Sequence, residues 1–262
     1  MDRVGSYRLG PVLGEGATAV VYRATDGERE VAVKVLRAED PAGQKRFARE
    51  ARLASASDSR HLVPVLEVGD RYIVMPLYRG GTLSERLRTE HRLSLDETID
   101  LAAQLGEGLD ALHACAIVHR DVKPSNVLLD GSGVAALADF GLARGADSTQ
   151  LTHDGQLVGT LQYLAPELIE GEEATPASDI YALGCVLYES LVGEPPFTGR
   201  SPAELGFAHL LESPTDPRGR RPELSADLTL GLLTPLEKDP TRRPTSGTAV
   251  ARMLHLARSA AP

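Results

Sequence analysis

The chain has 262 residues, 42% hydrophobic and 25% charged, the ordinary balance of a soluble globular protein. A formal net charge of −9 speaks against nucleic-acid binding, which asks for a basic stripe, and 4% aromatic content with no Trp leaves few base-stacking platforms. Two cysteines exclude a disulfide framework or a Cys-rich zinc site, and the most apolar window, Ile180 to Val192, contains Glu189 and is shorter than the roughly 20 residues of a membrane span.

In chain order, Tyr7 to Leu13 and Ala19 to Ala24 read as strands flanking a Gly-containing turn. The hairpin pair Asp26-Gly27 leads to a third strand, Glu30 to Leu36. Pro41 to Ser57 reads as a helix with Phe47, Ala51 and Ala54 on one face, and Leu62 to Val68 and Tyr72 to Met75 as two more strands. Beyond Gly81 the pattern turns helical. Thr82 with Glu85 and Ser94 with Glu97 have capping-box spacing, and Ile99, Ala102, Leu105, Leu109 and Leu112 recur at helical intervals. Val127 to Leu129 and Val134 to Ala138 form a strand pair around the Asp130-Gly131-Ser132-Gly133 turn. Asp179 to Leu191 is a helix stopped by Gly193 and Pro195-Pro196. A small β-rich lobe followed by a larger helical lobe is the expectation. Cys115 and Cys185 lie in apolar stretches and are expected to be buried.

Three segments carry candidate chemistry. The glycines of Leu13-Gly14-Glu15-Gly16 would let backbone N–H groups approach phosphate oxygens, although alone a plain hairpin turn is the better reading. The strand Val20-Val21-Tyr22 that follows excludes a dinucleotide fingerprint, and no G-x-x-x-x-G-K-[ST] occurs. Val31-Ala32-Val33-Lys34 places a lysine near the end of an apolar strand, and Glu50 lies on the next helix; singly, each could be a solvated surface charge. His119-Arg120-Asp121-Val122-Lys123-Pro124-Ser125-Asn126 gathers a carboxylate, two cations and an amide, and Asp139-Phe140-Gly141 follows shortly after.

In this order and spacing, the Gly-rich loop, V-A-V-K, H-R-D with its Asn, D-F-G and Ala165-Pro166-Glu167 resemble the protein-kinase signature set. Gly159-Thr160 through Glu167, Ser178-Asp179-Ile180-Tyr181, Gly193 to Phe197 and Asp239 to Pro244 extend the likeness, so that it runs from Tyr7 to Leu256. It is nearest to the bacterial eukaryotic-like (Hanks-type) Ser/Thr protein kinases. The resemblance implies a bilobal α+β kinase fold. Its N-lobe, small and β-rich with one key helix, would be about residues 1–77, and its larger, mainly helical C-lobe about 78–262. It also implies an ion pair between Arg243 and Glu167.

The same resemblance implies ATP as phosphoryl donor with two Mg2+ ions, Mn2+ being a substitute. Asp121 would accept the acceptor hydroxyl's proton and Lys123 would neutralise the γ-phosphate. Asn126 and Asp139 would hold the metals, and Lys34, held by Glu50, would grip the α/β-phosphates. Leu13, Val21, Ala32, Met75 and Leu128 would line the adenine slot, with Gly14 and Gly16 over the phosphates and backbone bonds from Pro76 and Tyr78. Lys123 and Thr160 point to Ser/Thr acceptors. Two positions depart from the family: Ala19 stands where a third loop glycine is common, and Pro76 where many relatives are acidic. Proline keeps its C=O and loses only an N–H, so the adenine contact survives.

The resemblance also implies, from Arg120 beside Asp121, control at the activation loop. In the polar segment Gly145 to Val158, with Ser148, Thr149 and Thr152, the resemblance to the bacterial kinases implies an autophosphorylation site at Thr152, with Asp154 where those relatives often have a second threonine. A threonine without a role is the alternative. The expected partners are protein substrates and a second copy for trans-autophosphorylation, with no nucleic acid and no membrane segment in this chain; the expected location is cytoplasmic. The chain is either a short enzyme or the catalytic piece of a longer one. Rival readings are a pseudokinase, opposed by the presence of Lys34, Glu50, Asp121, Asn126 and Asp139; a small-molecule phosphotransferase, opposed by Ala165-Pro166-Glu167 and the Asp179 helix; and a purely structural interaction domain, which explains none of the polar motifs.

Overall fold

The computed structural model describes residues 3–16, 19–37, 59–139, 161–199 and 201–259. An antiparallel sheet occupies the N-terminal part, with β1 (Arg3–Val4), β2 (Tyr7–Glu15), β3 (Ala19–Thr25), β4 (Glu30–Leu36), β5 (Glu67–Val68) and β6 (Tyr72–Pro76). Its strand order is β1-β2-β3-β4-β6-β5. β4 is central and buried on both faces, and its period-2 alternation divides two clusters. Val31 and Val33 join Tyr7, Ala24 and Val74 on one side. Ala32 and Leu36 join Ala19, Ile73 and Met75 on the other, where Ala136 and Ala138 also pack. Lys34 points to this second side, opposite Val21 on β3 and Ile73 on β6.

The strand expected over Leu62 to Val68 is mostly absent. Pro64 has no N–H to give a ladder, and the Val63 N–H goes instead to Leu137 O at 2.9 Å, so only Glu67–Val68 pairs with β6. The helix expected over Pro41 to Ser57 lies outside the described residues. β2 runs two residues beyond expectation, to Glu15, with register shifts around Val12 next to Pro11.

The C-terminal part is helical: α1 (Leu83–Glu90), α2 (Leu95–Ala114), α3 (Pro166–Ile169), α4 (Pro176–Val192), α5 (Pro202–Leu211), α6 (Ala226–Leu233) and α7 (Gly247–Ser259). Between α2 and α3 sits the small sheet β7 (Val127–Leu129) and β8 (Ala135–Leu137). Both expected capping boxes form: Glu85 N and Glu97 N donate to the Thr82 and Ser94 hydroxyls, while the Thr82 and Ser94 N–H groups donate to the glutamate carboxylates. α4 is buried almost all round and serves as the axis of this region. It starts three residues earlier than expected, with Pro176 at its first position, and stops at Gly193 in the left-handed conformation (φ 94°).

α2 and α7 touch through glycine. A Cβ on Gly106 would come within 2.6 Å of the Gly247 backbone. Asp110 on α2 caps α7 by accepting from the N–H groups of Gly247 and Thr248 at 2.7 and 3.0 Å. Cys185 is buried in α4 as expected, but Cys115 is exposed, because it caps the C-terminus of α2 where the chain turns at the surface. Among the described residues, no helix is long and apolar enough to cross a membrane.

Candidate active site

A cavity of about 950 Å3 opens between the sheet and the helical region. Leu13, Val21 and Ala32 from the sheet, Met75 and Pro76 at the end of β6, and Tyr78 just beyond contribute to its wall. Leu128 of β7 closes it from below. Gly14 and Gly16 form its upper rim. A Cβ at Gly14 would meet nothing within 4 Å, so this glycine keeps backbone open to the cavity rather than relieving a clash.

Residues singled out in segment 119–126 converge on the same space, together with Asp139. Asp121, Lys123, Asn126 and Asp139 all line the cavity. Lys123 Nζ is 2.7 Å from Asp121 Oδ2, and Asn126 Nδ2 donates to the same oxygen at 2.9 Å and to Asp121 O at 2.8 Å. These bonds fix the Asp121 carboxylate from two sides. Lys34 is only 7% exposed, which removes the solvated-face reading, and its Nζ lies 2.7 Å from Asp139 Oδ1. The expected partner Glu50 and the expected Thr160 lie outside the described residues, as do Phe140, Gly141 and the segment bearing Ser148, Thr149 and Thr152.

The loop is held from beneath by Asp179 at the start of α4. Its carboxylate accepts from the His119 and Arg120 N–H groups at 2.8 and 2.9 Å, and His113 Nε2 stands 2.8 Å away. Asp121 N in turn donates to His119 Nδ1 at 3.3 Å. Burial holds the His119 imidazole below its ordinary range, so it stays neutral at pH 7 and accepts this bond. Arg120 (φ 73°) and Asp139 (φ 61°) occupy the left-handed region without being glycine, a strain that clusters where geometry serves function.

Among the lining residues, Arg23 and Arg79 escape sequence reasoning. Arg23 on β3 and Arg79 after Tyr78 both bind Glu30 and so brace the cavity mouth. Gln162 and Tyr163 line the opposite side, and the Tyr163 hydroxyl donates to Glu189 Oε2 at 2.5 Å. Burial pushes the Glu189 carboxyl up, against the lowering effect of that bond. The resemblance gave Gly159 to Glu167 as one block, but the cross-chain partner Glu189 carried no local signal.

The donor set suits a hard cation. Asn126 spends its amide N–H groups on Asp121, which leaves its carbonyl oxygen, and Asp139 adds carboxylate oxygen. Among the described residues, no group of three or more His, Cys, Asp or Glu forms a metal cluster of the protein's own. Such a cation would therefore need further oxygens, from a phosphate chain or water.

Residues 7–255 match the family model described as the protein kinase domain. The chain is 40% identical over 251 residues to the serine/threonine-protein kinase PknB of Mycobacterium leprae, covering 90% of this chain and 40% of that protein. To PknB of Mycobacterium tuberculosis H37Rv it is 41% identical over 252 residues, with 90% and 40% covered. To the PknA kinase of Corynebacterium glutamicum it is 39% identical over 259 residues, with 94% and 55% covered. The chain thus spans about two fifths of the length of the PknB relatives.

Proposed function

This chain belongs to the protein kinase family, and we propose that it transfers the γ-phosphoryl of Mg·ATP to Ser or Thr hydroxyls of proteins, its own chain included. The observation that carries the reading is the convergence of Asp121, Lys123 and Asn126 from one segment and Asp139 from another on one cavity roofed by a glycine-bearing turn. The lobe boundary falls near residue 77, and the cytoplasm, where Mg·ATP is abundant, is the location this reaction calls for.

Adenine enters between Ala32 and Leu128, bounded by Leu13, Val21 and Met75, and bonds to the backbone of Pro76 and Tyr78. Lys34, with Glu50, grips the α/β-phosphates below Gly14 and Gly16. Asp121 orients the acceptor hydroxyl and takes its proton as the acceptor oxygen bonds to the γ-phosphorus. The bond from that phosphorus to the β-phosphate oxygen breaks, and ADP leaves with the electron pair. Lys123 offsets charge on the moving phosphoryl group, and Thr160 shapes the place of the acceptor. Two Mg2+ ions held by Asn126 and Asp139 would neutralise phosphate charge when bound. Because little covalent help is needed, positioning and electrostatics supply most of the acceleration.

Incubation with γ-labelled ATP, Mg2+ and myelin basic protein tests the reading. Label should appear on the test protein or on the chain itself, and Asp121→Asn should reduce transfer by about 10²- to 10⁴-fold while thermal unfolding stays cooperative. Full activity in that variant would remove Asp121 from its role.

A further inference from the structure

The glycine-bearing turn over the cavity is tied down by a side chain that lies outside it. On the return limb, Ala19 stands where the resemblance led us to look for a glycine, and its side chain is buried in one cluster with Leu36, its partner across β3 and β4. Gly16 N donates to Ala19 O at 2.9 Å, which closes the turn onto that limb. Arg37, just beyond β4, reaches the opposite limb. Its Nε donates to Gly16 O at 3.1 Å and its Nη2 to Glu15 Oε2 at 2.5 Å. Both polar backbone groups of Gly16 are therefore engaged, and its orientation is set from within the protein.

The base of Arg37 is fixed as well. Leu36 N donates to Arg71 O at 3.0 Å, and Arg71 Nη2 donates back to Leu36 O at 3.1 Å, so the end of β4 is held on both sides. Lys34 lies on that same strand, three residues before Arg37. The ion pair of Arg37 with Glu15 is exposed, at 44% and 61%, and such a pair contributes little to stability. Its geometry matters more. One planar fork grips a carbonyl and a carboxylate of two consecutive residues, Glu15 and Gly16, and both of these line the cavity.

We infer that Arg37 is a positioning residue for the phosphates of the donor: it presets the glycine-bearing turn at one height above the strand that carries Lys34. A turn already ordered loses little freedom when phosphates arrive beneath it, so affinity is gained for phosphate-bearing ligands while the adenine slot is untouched. The inference rests on the kinase reading and deepens it.

Two variants separate the grip from the charge. Arg37→Met keeps much of the side-chain length and removes the donors, whereas Arg37→Lys keeps the charge without the fork. Binding of Mg·ADP and of adenosine, which lacks phosphates, would be read by titration calorimetry. KM for ATP and for myelin basic protein, and thermal unfolding, would be measured on each variant. The expected result in Arg37→Met is a rise of about five- to tenfold in Kd for Mg·ADP and in KM for ATP, with adenosine affinity and acceptor KM within about twofold of the parent. Arg37→Lys should recover only part of the loss. Unchanged Mg·ADP affinity in a folded Arg37→Met protein would overturn the inference, as would equal weakening of adenosine and Mg·ADP. Full recovery in Arg37→Lys would also overturn it, by assigning the effect to charge alone. Parent protein that binds neither ligand would instead sink the kinase reading itself.

Discussion

Arg243 and Glu167, 76 residues apart, form a two-pronged ion pair: Nη1 lies 2.7 Å from Oε1 and Nη2 2.9 Å from Oε2, with the guanidinium fully buried. The remaining guanidinium donors go to the carbonyls of Glu237, Ala177 and Lys238, and Ser178 Oγ donates to Glu167 Oε1. The pair thus ties the segment before α7 to α3 and to the start of α4.

Removing one partner strands a buried charge. Arg243→Met should cost about 3–5 kcal/mol in urea unfolding, whereas replacing both residues by apolar ones of similar volume should cost far less. Burial alone would raise the Glu167 carboxyl, but Arg243 and Ser178 outweigh it and hold it below its ordinary 4.5. Its contribution is therefore complete above pH 4.5 and is lost as pH falls through the depressed value. A Glu167→Gln protein whose stability follows the same acid profile as the parent would contradict this.

Lys34 should control nucleotide binding. Its ammonium is buried against Asp139, so Lys34→Met should lower kcat/KM for ATP by about a hundredfold and leave an ion pair partner exposed to the cavity. Chelation of divalent cations should stop transfer, and added Mg2+ should restore it, with Mn2+ a working substitute. Transfer that persists in excess chelator would remove the metal role assigned to Asn126 and Asp139.

The box that starts α2 predicts a local loss. Ser94→Ala should destabilise by about 1 kcal/mol, read from the shift in denaturation midpoint. Ser94 and Arg86 hold the Glu97 carboxyl at about 2. The stabilisation from Glu97 is present above its ordinary 4.5 and fades between that pH and about 2. Equal acid sensitivity in Glu97→Gln would refute the assignment.

Thr152 gives a regulatory test. After incubation with Mg·ATP, mass spectrometry should find phosphate at Thr152, and Thr152→Ala should be slower, because a phosphate adds nearly two negative charges and acceptor oxygens that an arginine can pair with. Full activity of the unphosphorylated enzyme would exclude that control.

What the sequence discloses is largely what short range determines. The capping boxes at Thr82 and Ser94 and the stop at Gly193 were legible because each is settled within four residues. Asp121, Lys123, Asn126 and Asp139 stand out through an ordered set of motifs, not through periodicity, whereas Arg23 and Arg79 belong to no motif. Lys34 shows the limit: on a strand buried on both faces, alternation gives a direction without saying whether water lies there. Pro64 shows another, since an apolar run suggested strand where the Val63 N–H was already committed to Leu137. Cys115 sat in apolar sequence yet ends a helix at the surface. Contacts such as Tyr163 with Glu189 or Tyr181 with His209 join separate elements and leave no trace in local pattern.

The seam between Gly106 and Gly247 makes α7 a keystone rather than an appendage. With less room there than one methyl group requires, even Gly→Ala on either side would prise the helices apart. A fusion partner joined after Ser259 leaves the seam undisturbed, whereas a version cut before Gly247 strips the cover from the core that Leu105 shares with Leu254. α7 is thus part of the core's own wall, and any shortened version meant to fold should keep it.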